Sequence, residues 1–305
     1  MRIVSLLPSS TEICFAIGAG EELVAVTHEC DHPDGARRLP VLTSNALDHD
    51  GSSADIDRHI RVASHAGSSI YHLAAQRLAD LDPDLILTQE LCHVCAVAYR
   101  QVEGAVRQLP GDVPVLSLEP RTLGEVIDTI VTVGRGTGHL QAAEQVARRL
   151  RTRIAAIASG RQPTAPPGVA CIEWTDPVMT GGHWVPDMVA VAGGRDLLGV
   201  SGEPSRATPW DEVVTARPDV IVLMPCGFGL ERTLERAVEI TQRSGFADLP
   251  AAQSGRVIAV DGSSYFNRPG PRLVDGIELL NAGLRASPGD QLPAGAAWVP
   301  GALRR

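Results

Sequence analysis

The 305-residue sequence is short of aromatic residues, with four Trp, three Tyr and four Phe. It has no apolar run near the roughly 20 residues that cross a bilayer, which excludes a helical membrane span. It has no Lys/Arg cluster with interleaved aromatics, and its net charge is −9, so a nucleic-acid surface is not expected. The nearest basic run, residues 148–153, reads as the solvated face of a helix. No glycine fingerprint GxGxxG follows the first strand, where Pro8-Ser9-Ser10-Thr11-Glu12 stands instead, so a dinucleotide fold is disfavoured. No secretory leader is legible, because Met1-Arg2 runs straight into a six-residue strand and a proline. A cytoplasmic protein with reduced thiols is the expectation, its six Cys serving as core residues, ligands or redox groups.

What is present is an α/β grammar. Short apolar runs alternate with segments of helical period: a strand over Arg2–Leu7, a helix from Ser9 or Ser10 as N-cap, and a second strand over 23–26. Residues 56–66 and 70–81 read as helices, and Asp82-Pro83-Asp84 launches the strand 85–88. Residues 97–109 read as a helix and 113–118 as a strand. A helix around Leu123–Ile130 is broken by the glycines of 134–138. A helix over roughly 139–159 follows, about 30 Å long.

The same grammar restarts after the linker 160–168. Ala192-Gly193-Gly194-Arg195-Asp196-Leu197 answers Gly18-Ala19-Gly20-Glu21-Glu22-Leu23. Ala216-Arg217-Pro218-Asp219-Val220 answers Leu81-Asp82-Pro83-Asp84-Leu85. Two correspondences in the same order imply duplicated α/β lobes. The expected division is an N-terminal lobe over 1–138, a connecting helix over 139–159, a C-terminal lobe over 160–286 and a loosely docked Pro/Gly-rich tail over 287–305.

Reactive side chains fall after the strands, where ligands of α/β folds bind. In the first half these are Pro8, Ser9, Thr11 and Glu12, then His28, Glu29 and Cys30, then Gln89, Cys92, His93 and Cys95. In the second half they are Trp174, His183 and Trp184, then Cys226 and Phe228, then Tyr265, Phe266 and Arg268. Cys92 and Cys95 have the spacing of half a zinc site, which Cys226 would have to help complete because no second CxxC exists. Free cysteines are also commonly buried, and loop aromatics often only cap a core. A thioredoxin-type couple and a Cys30–His28 nucleophile are weaker readings of the same residues.

From the opening motif Ile3-Val4-Ser5-Leu6-Leu7-Pro8-Ser9-Ser10-Thr11-Glu12, with Gly18-Ala19-Gly20 and the Pro83 element, the chain resembles the cobalamin- and siderophore-binding proteins of ABC importers, up to about Leu284. Thr27-His28-Glu29-Cys30-Asp31, Gly182-His183-Trp184-Val185-Pro186 and Met224-Pro225-Cys226-Gly227-Phe228 are shared with a cobalamin-binding branch. The resemblance implies two Rossmann-like lobes with central, mostly parallel sheets joined by a long helix. It implies non-catalytic binding of cobalamin or another corrinoid between them, and an ABC permease as partner if the protein is exported. The lack of a leader and the cysteines depart from that pattern. The alternative is a cytosolic zinc- or iron-binding or thiol-dependent enzyme built on Cys92, Cys95, Cys226, His28 and Cys30.

Overall fold

The computed structural model describes residues 1–45, 51–65, 71–89, 104, 106, 112–160 and 165–300. The chain divides into two compact units. One comprises Met1–Pro120 with Glu125–Arg149, the other Arg121–Gly124 with Leu150–Arg305.

In the first unit, β1 (Ile3–Ser5), β2 (Leu23–Ala25), β5 (Leu85–Thr88) and β6 (Val115–Ser117) form a parallel sheet in the order β2-β1-β5-β6. Every residue of β1 and β5 is buried. A parallel strand covered on both faces needs such an unbroken apolar run, and Ile-Val and Leu-Ile-Leu supply it. A separate antiparallel pair joins β3 (Thr43–Asn45) to β4 (Tyr71–Leu73).

The single helix expected over 70–81 is therefore a strand followed by α3 (Ala75–Asp80), which comes after α2 (Ser53–His65) in the chain. Pairing with β3 satisfies the backbone of 71–73, and tertiary pairing overrides a marginal helical period. The first helix, α1 (Pro8–Ala16), also starts earlier than expected. Pro8 occupies its first turn, where a missing N–H costs nothing and the fixed φ suits the helix. Leu7 is the N-cap and makes no side-chain cap bond, so neither Ser9 nor Ser10 plays that part.

Helix α4 (Leu123–Gly136) runs through Gly134 and stops before Gly138, whose φ of +78° ends it. A Cβ on Gly134 would lie 2.2 Å from the Ala143 methyl on α5 (Leu140–Ser159). Gly134 is thus a close-approach point between two helices rather than a breaker. The 20-residue α5 straddles the division between the units, and Arg153 in its second half binds Asp275 at 2.6 Å and Glu278 at 2.8 Å. These carboxylates hold the guanidinium's pKa above its ordinary value.

The second unit is built on β7 (Gly168–Thr175), the longest strand. β7 pairs in parallel with β9 (Arg195–Asp196) and β11 (Val220–Leu223), and β11 with β12 (Val257–Val260). β8 (Val178–Thr180) returns antiparallel along β7 and carries β10 (Arg206–Ala207) at its edge. The sheets are therefore mostly parallel, as expected.

Both repeated motifs land on equivalent strands: β2 and β9 flank the first strand of their unit, as β5 and β11 do on its other side. They differ in detail. In the second unit the strand is Arg195–Asp196 itself and not the apolar residues that follow, because Oδ1 of Asp196 accepts from the amides of Leu198 (2.9 Å) and Gly199 (2.7 Å) and turns the chain out of the sheet.

The tail is not loose either. β13 (Ala296–Trp298) pairs antiparallel with β12, and Val299 is buried. An open sheet edge leaves a row of unpaired backbone groups, and the tail satisfies them. Helices α6 (Val185–Val191), α7 (Trp210–Ala216), α8 (Leu230–Arg236), α9 (Val238–Thr241), α10 (Pro250–Gln253), α11 (Gly262–Tyr265) and α12 (Leu273–Arg285) complete the second unit among the described residues.

Candidate functional site

In the first unit the residues after β1 and β2 meet in a buried hydroxyl–thiol network. Oγ1 of Thr11 donates to Oγ of Ser5 at 2.8 Å and lies 3.1 Å from Sγ of Cys30. Thr27 approaches the same sulfur at 3.1 Å, and Ser10 pairs with Ser5 at 2.6 Å. Ser9, Thr11 and Glu12 are all buried, and Pro8 is half-buried. The hydroxyl of Thr11, expected to face a ligand, serves the interior of its own unit. Nδ1 of His28 lies 2.7 Å from Oγ1 of Thr43, which also accepts the His28 amide at 3.1 Å. Its Nε2 is 3.5 Å from the Glu29 carboxylate. Gln89 is buried at the end of β5. Cys92, His93 and Cys95 lie outside the described residues.

In the second unit the strand ends carry the aromatic residues. Trp174 is the penultimate residue of β7 and is buried, with its ring centroid 5.2 Å from that of the buried Phe228 and its Nε1 donating to the Asp176 carbonyl. The Arg232 guanidinium of α8 sits 4.1 Å from the centre of the Phe228 ring, a cation–π contact. Trp184 and Phe266 are buried and joined by a 2.8 Å bond from indole Nε1 to the Phe266 carbonyl. Both therefore brace the loops. Tyr265, Arg268 and Cys226 keep part of their surface in contact with solvent, and so does His183.

His183 is held with care. Its φ is +51°, unusual for a residue with a side chain. Its amide donates to the Glu203 carbonyl at 2.6 Å, and its carbonyl accepts from Gly202 at 3.0 Å. Gly182 beside it has no room for a Cβ, which would fall 2.4 Å from the Ser205 nitrogen and 2.6 Å from the Glu203 oxygen. Its ring lies 5.5 Å from that of Trp184. Burial, and then the nearby Arg121 charge, push the imidazole pKa below its ordinary value.

Glu173, one residue before Trp174, accepts from Ser205 Oγ and from the Gly182 amide. Burial pushes its carboxyl above the usual range. The Cys226 amide donates to the Glu173 carbonyl at 3.1 Å. Sequence reasoning missed Glu173, Ser205, Arg121 and Arg232. Glu173 had a signal, its place at the end of the first strand of its lobe. The other three come from distant loops and helices and had none.

The other two described cysteines are core residues. Cys14 and Cys171 are buried, and burial pushes Cys14 up to about 12. Among the described residues no group of three or more His, Cys, Asp or Glu side chains could hold a metal ion. Two members of the expected cysteine set, Cys92 and Cys95, lie outside them, so zinc has no support here.

The family described as Periplasmic binding protein matches residues 3–263. The chain belongs to this family. This periplasmic-binding-protein chain is 26% identical over 283 residues to the Vitamin B12-binding protein of Vibrio cholerae serotype O1 (strain ATCC 39541 / Classical Ogawa 395 / O395), covering 92% of this chain and 87% of that one. Among solved structures it is similar to the periplasmic heme-binding protein RhuT from Roseiflexus sp. RS-1, with a TM-score of 0.67 and 26% identity over 93% of this chain and 97% of that one. It also matches the periplasmic Vitamin B12 binding protein BtuF of Vibrio cholerae, with a TM-score of 0.66 and 22% identity over 93% and 96% of the two chains. The α/β fold with central, mostly parallel sheets is that of these neighbours. No described helix of this periplasmic binding protein is long and apolar enough to cross a membrane.

Proposed function

We propose that the chain is the non-catalytic substrate-binding component of an ABC importer and that its cargo is a corrinoid such as cobalamin. The observation that carries this reading is the 26% identity to a Vitamin B12-binding protein across 92% of the chain. The strand-end residues of the second unit support it. Tyr265 offers a partly exposed ring, while Trp174 and Phe228 are buried against each other and brace the loops, and Arg232, Arg268 and His183 offer the few polar groups that orient a large ligand. The half-buried Cys226 contributes a thiol to the same set of loops. The expected partner is the permease of such an importer.

A second cargo, heme, is favoured by the similarity to RhuT at the same identity. Titrating the purified protein with cyanocobalamin, cobinamide and hemin, read by tryptophan fluorescence and calorimetry, separates the two. Saturable 1:1 binding of a corrinoid in preference to hemin supports the reading. Preference for hemin transfers it to the second cargo, and a flat response to all three removes both.

A further inference from the structure

Glu173 carries a charge that its own unit does not balance. It is half-buried near the end of β7, and its carboxyl accepts from two neutral donors, Ser205 Oγ and the Gly182 amide. Among the described residues no cation forms an ion pair with it. The arginines of the surrounding loops and helices are engaged elsewhere. Arg206 binds Glu212 at 2.8 Å, Arg243 binds Asp176 at 3.4 Å, and Arg232 sits on the Phe228 ring. Burial opposes the charged form and no nearby positive charge offsets it. Cys171, two residues back on the same strand, is a buried thiol that the Glu173 charge helps keep protonated.

The residue also stands where three loops meet. Its carboxyl ties residue 182 to residue 205, and its carbonyl takes the Cys226 amide at 3.1 Å. An anchor needing hydrogen bonds alone would be served by Gln, which has no charge to desolvate. A glutamate there puts a fixed negative charge at the root of the loops. Specificity is a difference of affinities, and a like charge brought near such a group is an effective way to make one. The two cargoes considered above differ in this respect. The rim of a corrinoid bears neutral amides, whereas that of heme bears carboxylates.

Resting on the reading of the chain as a corrinoid binder through these second-unit loops, we propose that Glu173 is a specificity-determining residue, whose negative charge disfavours chelates with carboxylate-bearing rims and admits those with amidated rims.

The test uses the full chain at pH 8.5, on the basic side of a raised carboxyl. The probes share a ring and a metal: dicyanocobinamide has an amidated rim and dicyanocobyrinic acid a carboxylate-bearing one. Calorimetry gives both Kd values, and their ratio is the readout. The variant is Glu173→Gln, whose Oε1 can accept from Gly182 while its Nε2 donates to the Ser205 hydroxyl.

The wild type is expected to prefer cobinamide. In Glu173→Gln the preference falls on the order of tenfold, chiefly through tighter binding of cobyrinic acid, as removal of one like charge about 12 Å away at an effective dielectric constant of about 20 implies. Glu173→Asp, which restores the charge, restores the preference. A residue that only braced the loops would weaken both probes together. A ratio unmoved in the variant, or a wild type that binds cobyrinic acid as tightly as cobinamide, overturns the role of Glu173 and leaves the proposed function standing. A wild type that binds neither corrinoid overturns both. If Glu173→Gln fails to fold, Glu173→Ala, which leaves room for water at Gly182 and Ser205, is read by the same ratio.

Discussion

At the scale of single residues, Gly182 shows how little freedom surrounds the candidate ligand contact. The atoms a Cβ would meet are backbone atoms of 203–205, which have no rotamer to change. Gly182→Ala is expected to cost about 1–3 kcal/mol, the usual range for an overpacked site. Urea denaturation measures it, and a change within about 0.5 kcal/mol, typical of a neutral surface site, would mean the loop simply gives way. Glu22 supplies a pH-dependent expectation. Its hydrogen bond with His139 at 2.5 Å holds the carboxyl below the usual range. A depressed carboxyl stabilises the fold above its unfolded pKa, and that increment is lost as pH falls through the lower folded value. Denaturation midpoints from pH 6 down to pH 3 should therefore fall more steeply in the wild type than in Glu22→Gln. The gap is small, on the order of 0.5 kcal/mol, because the pair is partly exposed. Equal slopes would show that the contact contributes nothing in solution.

At the scale of elements, Gly124 and Gly134, two of the three glycines of α4, should respond with opposite signs. Gly124 is exposed in the first turn and only Thr122 Oγ1 comes within 4 Å of its added Cβ, so Gly124→Ala should stabilise by about 0.5–1 kcal/mol through helix propensity. Gly134→Ala has the same propensity gain but drives a methyl into Ala143 on α5, and a net loss of about 1–3 kcal/mol is expected. Thermal denaturation of the two variants checks the contrast, and two changes of the same sign would contradict it. The sequence shows both glycines equally well. It does not show that α5 passes close to one and not the other, which is why residues 134–138 read as a break. The strand β4 was illegible for a related reason, since a three-residue segment becomes a strand only because β3 lies beside it.

At the scale of the whole molecule, the proposed role has a thermodynamic consequence. A ligand that binds only the folded chain should stabilise it by about 2.7 kcal/mol at a hundred times its Kd. A rise in melting temperature that grows with corrinoid concentration is expected, and a melting point indifferent to saturating ligand would contradict specific binding. The family match spans residues 3–263, and the strands that the opening motif and the Pro83 element mark in the sequence are the central pair of the first sheet. Of the candidate residues, His183 stands in a second-unit loop and touches solvent, and Trp174 stands near the end of β7 as a braced, buried group. Thr11 was named for the right strand end and is used for an internal purpose.

What the sequence determined by itself is periodic and local. Unbroken apolar runs such as Leu85-Ile86-Leu87 specify strands covered on both faces, and Pro83 and Pro218, each followed by an aspartate, mark where two of them begin. Repetition of that punctuation marked two similar halves, and in each the strand it opens lies parallel beside the first strand. Only the tertiary structure decided which edge the tail completes, where two helices touch at Gly134, and which distant carbonyl receives the His183 amide. The reason is physical: burial and period are properties of neighbouring residues along the chain. Hydrogen-bond partners such as His183 and Glu203 are separated by many residues, and no local pattern records the pairing that folding makes between them.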